Sequence, residues 1–230
     1  GLLLIVADGM GGHEAGEVAS QAAVEVIEKA YREARGTPGE ALEEAFQQAH
    51  KQILRLSSRN PAMAGMGTTC TALAIVSGRA WAAHVGDSRL YLVRGGAIFQ
   101  VSEDQTQCME MVRQGLLTLE EAERHEDRNV LAHAMGTRPD LVVLTWPKPM
   151  PVRPGDRFVL CSDGLHDLVS SDEIMQVVRD AGTAESCDKL LRMARQRGGY
   201  DNITVAVAAI PDAATSPVAQ KATRECEPLP

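Results

Sequence analysis

The sequence predicts an α+β fold, a four-layer α-β-β-α sandwich in which two central, mainly antiparallel sheets are flanked by helices. Three observations lead there. Apolar strand-length segments arrive in runs, helical periodicity arrives in paired segments between those runs, and glycine-bearing turns join successive strands where crossover helices would otherwise be needed. With 230 residues and 44% hydrophobic content the chain buries one sizeable core, and no proline- or serine-rich linker divides it into halves.

Residues 2–7 are a continuous apolar run that reads as a fully buried strand, closed by Asp8 and the glycine turn Gly9-Met10-Gly11-Gly12. Val18, Ala22, Val26 and Ala30 carry helical spacing through residues 16–35, and a second helix is expected over 39–56. Residues 68–76, 79–85, 89–94 and 97–101 are apolar or β-branched and are separated by Ser77-Gly78, Gly86-Asp87-Ser88 and Gly95-Gly96, the pattern of an antiparallel meander. A charged, helix-prone insertion follows over 107–133. Strands are expected again at 141–145, 157–161 and 203–209, with helices at 171–179 and 183–197. From Pro211 to Pro230 periodicity is absent, so this stretch is expected to be a mobile tail outside a domain of residues 1–210.

A net charge of -8 works against a phosphate-backbone-binding surface, and 3% aromatic content leaves no base-stacking platform, so nucleic acid is not expected as a partner. No apolar run approaches the roughly 20 residues that cross a bilayer. Cys70, Cys108, Cys161, Cys187 and Cys226 are odd in number and form no C-x-x-C pair, which favours a reducing compartment and a cytoplasmic protein. Cys161 sits inside an apolar run and reads as a core residue, not a nucleophile.

Chemistry is carried by aspartates delivered to strand ends. Asp8 closes the first strand, Asp163 closes the run Phe158-Val159-Leu160-Cys161-Ser162, and Asp201 precedes Asn202-Ile203-Thr204-Val205. If these ends converge, like charges in a poorly solvated place demand protons or cations, and a divalent metal site answers that demand. Two hard cations about 3.5–4 Å apart share a carboxylate and acidify a bridging water. Glycine after Asp8 and Asp163 lets main-chain carbonyls approach.

Each piece alone is ordinary, since an Asp-Gly after a strand is usually a turn. Together, Val6-Ala7-Asp8-Gly9-Met10-Gly11-Gly12-His13, Gly67-Thr68-Thr69, Val85-Gly86-Asp87-Ser88-Arg89, Cys161-Ser162-Asp163-Gly164-Leu165-His166-Asp167 and Asp201-Asn202-Ile203-Thr204 resemble the metal-dependent serine/threonine protein phosphatases of the PPM, or type 2C, family in its bacterial form. The resemblance implies that Asp8 bridges two Mn²⁺ or Mg²⁺ ions, that the Gly9 carbonyl holds one, and that Asp163 and Asp201 bind the second. Asp87, with Asp163 and Asp167, matches the positions of a third, weaker ion. It further implies attack of a metal-bridging hydroxide on phosphoserine or phosphothreonine, phosphoprotein substrates and an opposing serine/threonine kinase. Residues 107–136 match the family's flap. A monomer is expected.

His13, five residues beyond Asp8 on the glycine loop, is the candidate proton donor to the leaving alkoxide; the alternative is a loop histidine that caps the helix. The remaining histidines form no ligand-spaced cluster and read as structural or exposed. Two departures stand out. Members of the family carry, ahead of the opening strand, an arginine that grips the substrate phosphate and an acidic element. This sequence opens at Gly1 inside a core strand, so upstream residues are expected in the natural protein. The flap opens with Asp104-Gln105-Thr106 where many relatives have Asp-His-Ser, although Arg128-Asn129-Val130 and Ala134-Met135-Gly136 keep the closing pattern. A second reading, a regulatory module that binds phosphoproteins without turnover, is opposed by the retained acidic set.

Overall fold

The computed structural model describes residues 1–211 and 220–226. In chain order, β1 (Leu2–Val6) and the two-residue β2 (Gly9–Met10) precede the helical hairpin α1 (His13–Glu33) and α2 (Pro38–Arg59). β3 (Gly67–Thr68), β4 (Cys70–Val76), β5 (Arg79–Val85), β6 (Arg89–Arg94) and β7 (Ala97–Gln100) follow. The insertion carries α3 (Gln107–Arg113) and α4 (Leu119–Glu123). The short β8 (Leu144–Thr145) and β9 (Met150–Pro151) then lead to β10 (Arg157–Cys161). α5 (Asp163–His166), α6 (Ser171–Asp180), α7 (Thr183–Gln196), β11 (Ile203–Ala209) and β12 (Gln220–Cys226) complete it.

Among the described residues these strands form two larger antiparallel sheets. One has the order β1-β4-β5-β8 with β9 also on β5, and the other β12-β11-β10-β6-β7. The pleat explains why the strands read as unbroken apolar runs: both faces are covered. Leu4, Val6, Leu73, Phe158 and Leu160 meet between the sheets. Leu3 and Ile5 face outward onto α1 and α2, where Phe46, Leu42 and Ile27 pack. On the far side Val159, Cys161, Val205 and Val207 pack against Ile174, Val178 and Leu190 of α6 and α7. The expected four layers are therefore present.

Local chemistry sets the helix starts. Thr37 accepts from the Glu40 amide while the Glu40 carboxylate accepts from the Thr37 amide, a reciprocal cap with Pro38 in the first turn; Ser170 and Glu173 repeat it on α6. α1 begins three residues before the expected position 16, because apolar periodicity marks the packed turns and not the cap.

Four boundaries need correction. The strand expected at 68–76 breaks at Thr69, and β3 leaves the large sheet to pair with β2, Gly9 opposite Thr68. Of the strand expected at 141–145 only Leu144–Thr145 pairs, and β9 was not foreseen because Pro151 masks it. Asp163, expected in a turn, opens the short α5. The stretch from residue 211, expected to lack structure, contains β12, which pairs along β11 from Ile203 opposite Cys226 to Ala209 opposite Gln220. The rest of that expectation, residues 212–219 and 227–230, lies outside the described residues.

Candidate metal centre

Asp8 leaves β1 into a loop clamped by two threonines. Its amide donates to Thr69 Oγ1 at 3.2 Å. Its carbonyl accepts from the Thr69 amide and from Thr68 Oγ1, both at 2.8 Å. Gly9 is required by contact: a Cβ there would lie 2.0 Å from the carbonyl oxygen of Gly16, so the loop can rest on the first turn of α1 only without a side chain.

The Asp163 and Asp201 loops are stitched together. Ser162 Oγ donates to the Asn202 carbonyl at 3.2 Å and accepts from the Thr204 amide at 3.0 Å, and the Ser162 amide donates to the Thr204 carbonyl at 3.1 Å. A Cβ on Gly164 would stand 2.3 Å from the Asn202 oxygen, so this glycine sets how closely the two loops approach. Each aspartate also accepts from the next amide, Gly164 and Asn202 respectively, at 2.7 Å.

Asp87 sits on the β5–β6 turn, which a buried polar ladder holds. Thr69 Oγ1 meets Ser88 Oγ at 2.7 Å, and Thr71 Oγ1 donates to the Ser88 carbonyl at 2.8 Å. The His84 ring spans Thr71 Oγ1 and the Gly86 carbonyl at 2.8 and 2.9 Å. Gln105 closes the turn from the flap side, its Oε1 accepting from the Gly86 amide and its own amide donating to the Gly86 carbonyl. The departure at position 105 is thus accommodated by a buried residue whose side-chain oxygen and backbone N–H both engage the Gly86 main chain, while its Nε2 donates to the Val142 carbonyl. Every buried side-chain nitrogen and oxygen among the described residues has a hydrogen-bond partner.

Four of the expected carboxylates converge. Burial, the Asp163 charge, a hydrogen bond with Asp163, and the charges of Asp201 and Asp87 push the Asp8 pKa from 3.8 up to about 9. Burial, then Asp163 and Asp104, push Asp87 up to about 8. A hydrogen bond between Asp8 and Asp163 requires one of the two to be protonated, so the metal-free centre holds protons at neutral pH. Among the described residues no three His, Cys, Asp or Glu side chains stand in a ready ligand shell. The carboxylates share a field and a hydrogen bond instead. The donor set, hard oxygens crowded in a partly buried place, fits Mg²⁺ or Mn²⁺ and offers no soft ligand.

Asp167 is separate. It follows α5, and the flap grips it: Asn129 Nδ2 donates to Asp167 Oδ2 at 2.9 Å and Arg128 Nη2 at 3.3 Å. Burial opposes its ionisation, but hydrogen bonds with His166 and Asn129 and the Arg128 charge hold its carboxyl below the usual range. His166 Nε2 also contacts the Asp87 carbonyl at 3.1 Å, so this histidine links the two expected third-ion ligands. His13 begins α1, and its side chain lies outside the described residues. Gly9 lies in β2, directly after Asp8.

Sequence reading missed the positioning roles of Ser162, Ser88, Gln105 and the Arg128–Asn129 pair. Ser162 and Ser88 were visible as neighbours of motif aspartates, but their partners lie far along the chain.

An α-β-β-α sandwich with an acidic, cation-seeking centre at its strand ends is a class in itself. Residues 1–204 match the sequence profile described as protein phosphatase 2C. The chain is 38% identical over 211 residues to the serine/threonine protein phosphatase PstP of Mycobacterium tuberculosis, covering 91% of this chain and 40% of that protein. It is 36% identical to the serine/threonine phosphatase stp of Listeria monocytogenes, covering 88% and 82% of the two chains. The crystal structure of the PstP catalytic domain in complex with two manganese ions superposes with a TM-score of 0.79 at 36% identity, covering 91% of this chain and 88% of that one. The chain belongs to the protein phosphatase 2C family. It spans 40% of the length of the mycobacterial relative.

Proposed function

We propose that this chain hydrolyses phosphoserine and phosphothreonine on proteins, using divalent cations and reversing a serine/threonine kinase. The observation that carries the reading is the convergence of Asp8, Asp87, Asp163 and Asp201, whose mutual repulsion is answered best by cations. The manganese ions of the PstP structure support the same assignment by similarity. Asp8, the Gly9 carbonyl, Asp163 and Asp201 would hold two core ions, and Asp87, with Asp163 and Asp167, would serve a third. When bound, Mn²⁺ or Mg²⁺ supplies charge neutralisation at the phosphoryl group and a water of lowered pKa.

The chain's own residues do the rest. Thr68 and Thr69 fix the Asp8 carbonyl and amide, and Ser162 fixes the spacing of the Asp163 and Asp201 loops, so the main chain that presents these carboxylates is held in place for phosphoryl transfer. His13 protonates the leaving alkoxide. Cysteine chemistry has no part: burial drives the Cys161 thiol up to about 12, leaving it inert. Among the described residues no helix is long and apolar enough to cross a membrane. We read the protein as a cytoplasmic monomer acting on phosphoproteins.

The test is phosphate release from phosphothreonine peptides with Mn²⁺, with Mg²⁺ and with chelator. Release that requires either cation supports the proposal; no release in saturating Mn²⁺ refutes it and favours binding without turnover.

A further inference from the structure

Beside the carboxylate centre, against the flap, lies a cavity of about 260 Å³. Asp87 and Asp167 line one part of it, and Met109, Ala122 and Glu123 of the flap line another. Four of its charged groups are already paired within its walls: Arg89 with Asp104 at 2.7 Å, and Arg128 with Asp167 at 3.3 Å. Glu123 differs. It is exposed, and no hydrogen bond or ion pair among the described residues engages it.

We propose that this cavity is a substrate subsite for a lysine or arginine side chain flanking the phosphorylated residue, with Glu123 as the specificity-determining contact; this rests on the phosphatase reading above. The cavity is smaller than the roughly 300–1,000 Å³ of small-molecule pockets and suits one long side chain. Met109 and Ala122 provide apolar surface for an aliphatic stem, and Glu123 a counter-charge for its cationic head, the arrangement in which long basic side chains lose least hydration. An acidic side chain would meet the exposed Glu123, so the contact that attracts a cation rejects an anion. The overall charge of -8 favours encounter with basic segments before docking.

The experiment uses phosphothreonine peptides with Lys, norleucine or Glu at successive positions on either side of the phosphoresidue, with the parent, Glu123→Gln and Glu123→Lys in Mn²⁺. At one position the parent should favour Lys over norleucine by about twofold to fivefold in kcat/KM, the range of a solvent-exposed ion pair. Glu123→Gln should erase that advantage and Glu123→Lys should transfer it to the Glu peptide, while turnover of an aryl phosphate stays equal in all three proteins. A merely structural Glu123 would slow the aryl phosphate as well. A parent without preference, or a Lys advantage that survives Glu123→Gln, overturns the subsite. Fluorescence anisotropy with hydrolysis-resistant phosphonate peptides reads the same preference without turnover. Preference in binding with no hydrolysis refutes the phosphatase reading alone, and no preference in binding refutes the subsite.

Discussion

Replacing Asp8 with Asn should stabilise the metal-free protein, and the gain should grow with pH. In the folded chain burial and the Asp163 charge hold the Asp8 carboxyl up at about 9 against an ordinary 3.8. Between those values the native state binds a proton that the unfolded chain has released, so stability is lost as pH rises, by at most about 1.4 kcal/mol per pH unit. At pH 7, about three pH units above the ordinary carboxyl value, the penalty reaches about 4 kcal/mol as a ceiling, because the charges around Asp8 change with pH as well. Asn keeps the shape and can still donate to Asp163, so it should recover about 2–4 kcal/mol at pH 7 and nothing below pH 4. For a domain of this size that is a rise of roughly 2–4 °C in Tm for each kcal/mol. The assay is denaturant unfolding of both proteins in chelator from pH 5 to pH 9, repeated with Mn²⁺, which should stabilise the parent and not the variant. Equal stability of the two at pH 8 in chelator, or a parent whose stability does not fall across that range, would refute the electrostatic account of the centre.

Asp163→Asn should reduce cation-dependent phosphate release by more than about a hundredfold while circular dichroism stays native, since a donor to the ions is lost and the shape is kept; near-parental turnover in saturating Mn²⁺ would contradict its placement among the ligands. His13→Ala should slow phosphothreonine hydrolysis far more than that of an aryl phosphate, whose leaving group departs with little protonic help; equal losses on both substrates would remove His13 from the reaction. Asp156→Ala should destabilise the fold by about 2–3 kcal/mol, because Arg94 loses a two-pronged partner and the Arg153 amide its acceptor. A Tm within a degree of the parent would show that this pair contributes nothing.

The sequence by itself determined the layers and the chemistry of the centre. Runs such as Leu2–Val6 and residues 158–161 are apolar on both faces, and only strands covered on both sides read that way, so two sheets with outer helices followed from periodicity. Asp8, Asp87, Asp163 and Asp201 were legible because each stands where a strand meets a glycine or Asx turn, a local signal. What only the tertiary structure decided are the relations between residues distant in the chain. That Gly164 lets the Asn202 carbonyl approach, that Gln105 reads the Gly86 main chain, that Arg128 and Asn129 tie the flap to Asp167, and that β12 extends a sheet past residue 211 all depend on pairings 11 or more positions apart. Nothing in the neighbourhood of Gln105 or Asn129 announces a partner, because a side-chain amide forms the same hydrogen bonds with water until the fold removes the water and supplies one particular carbonyl or carboxylate.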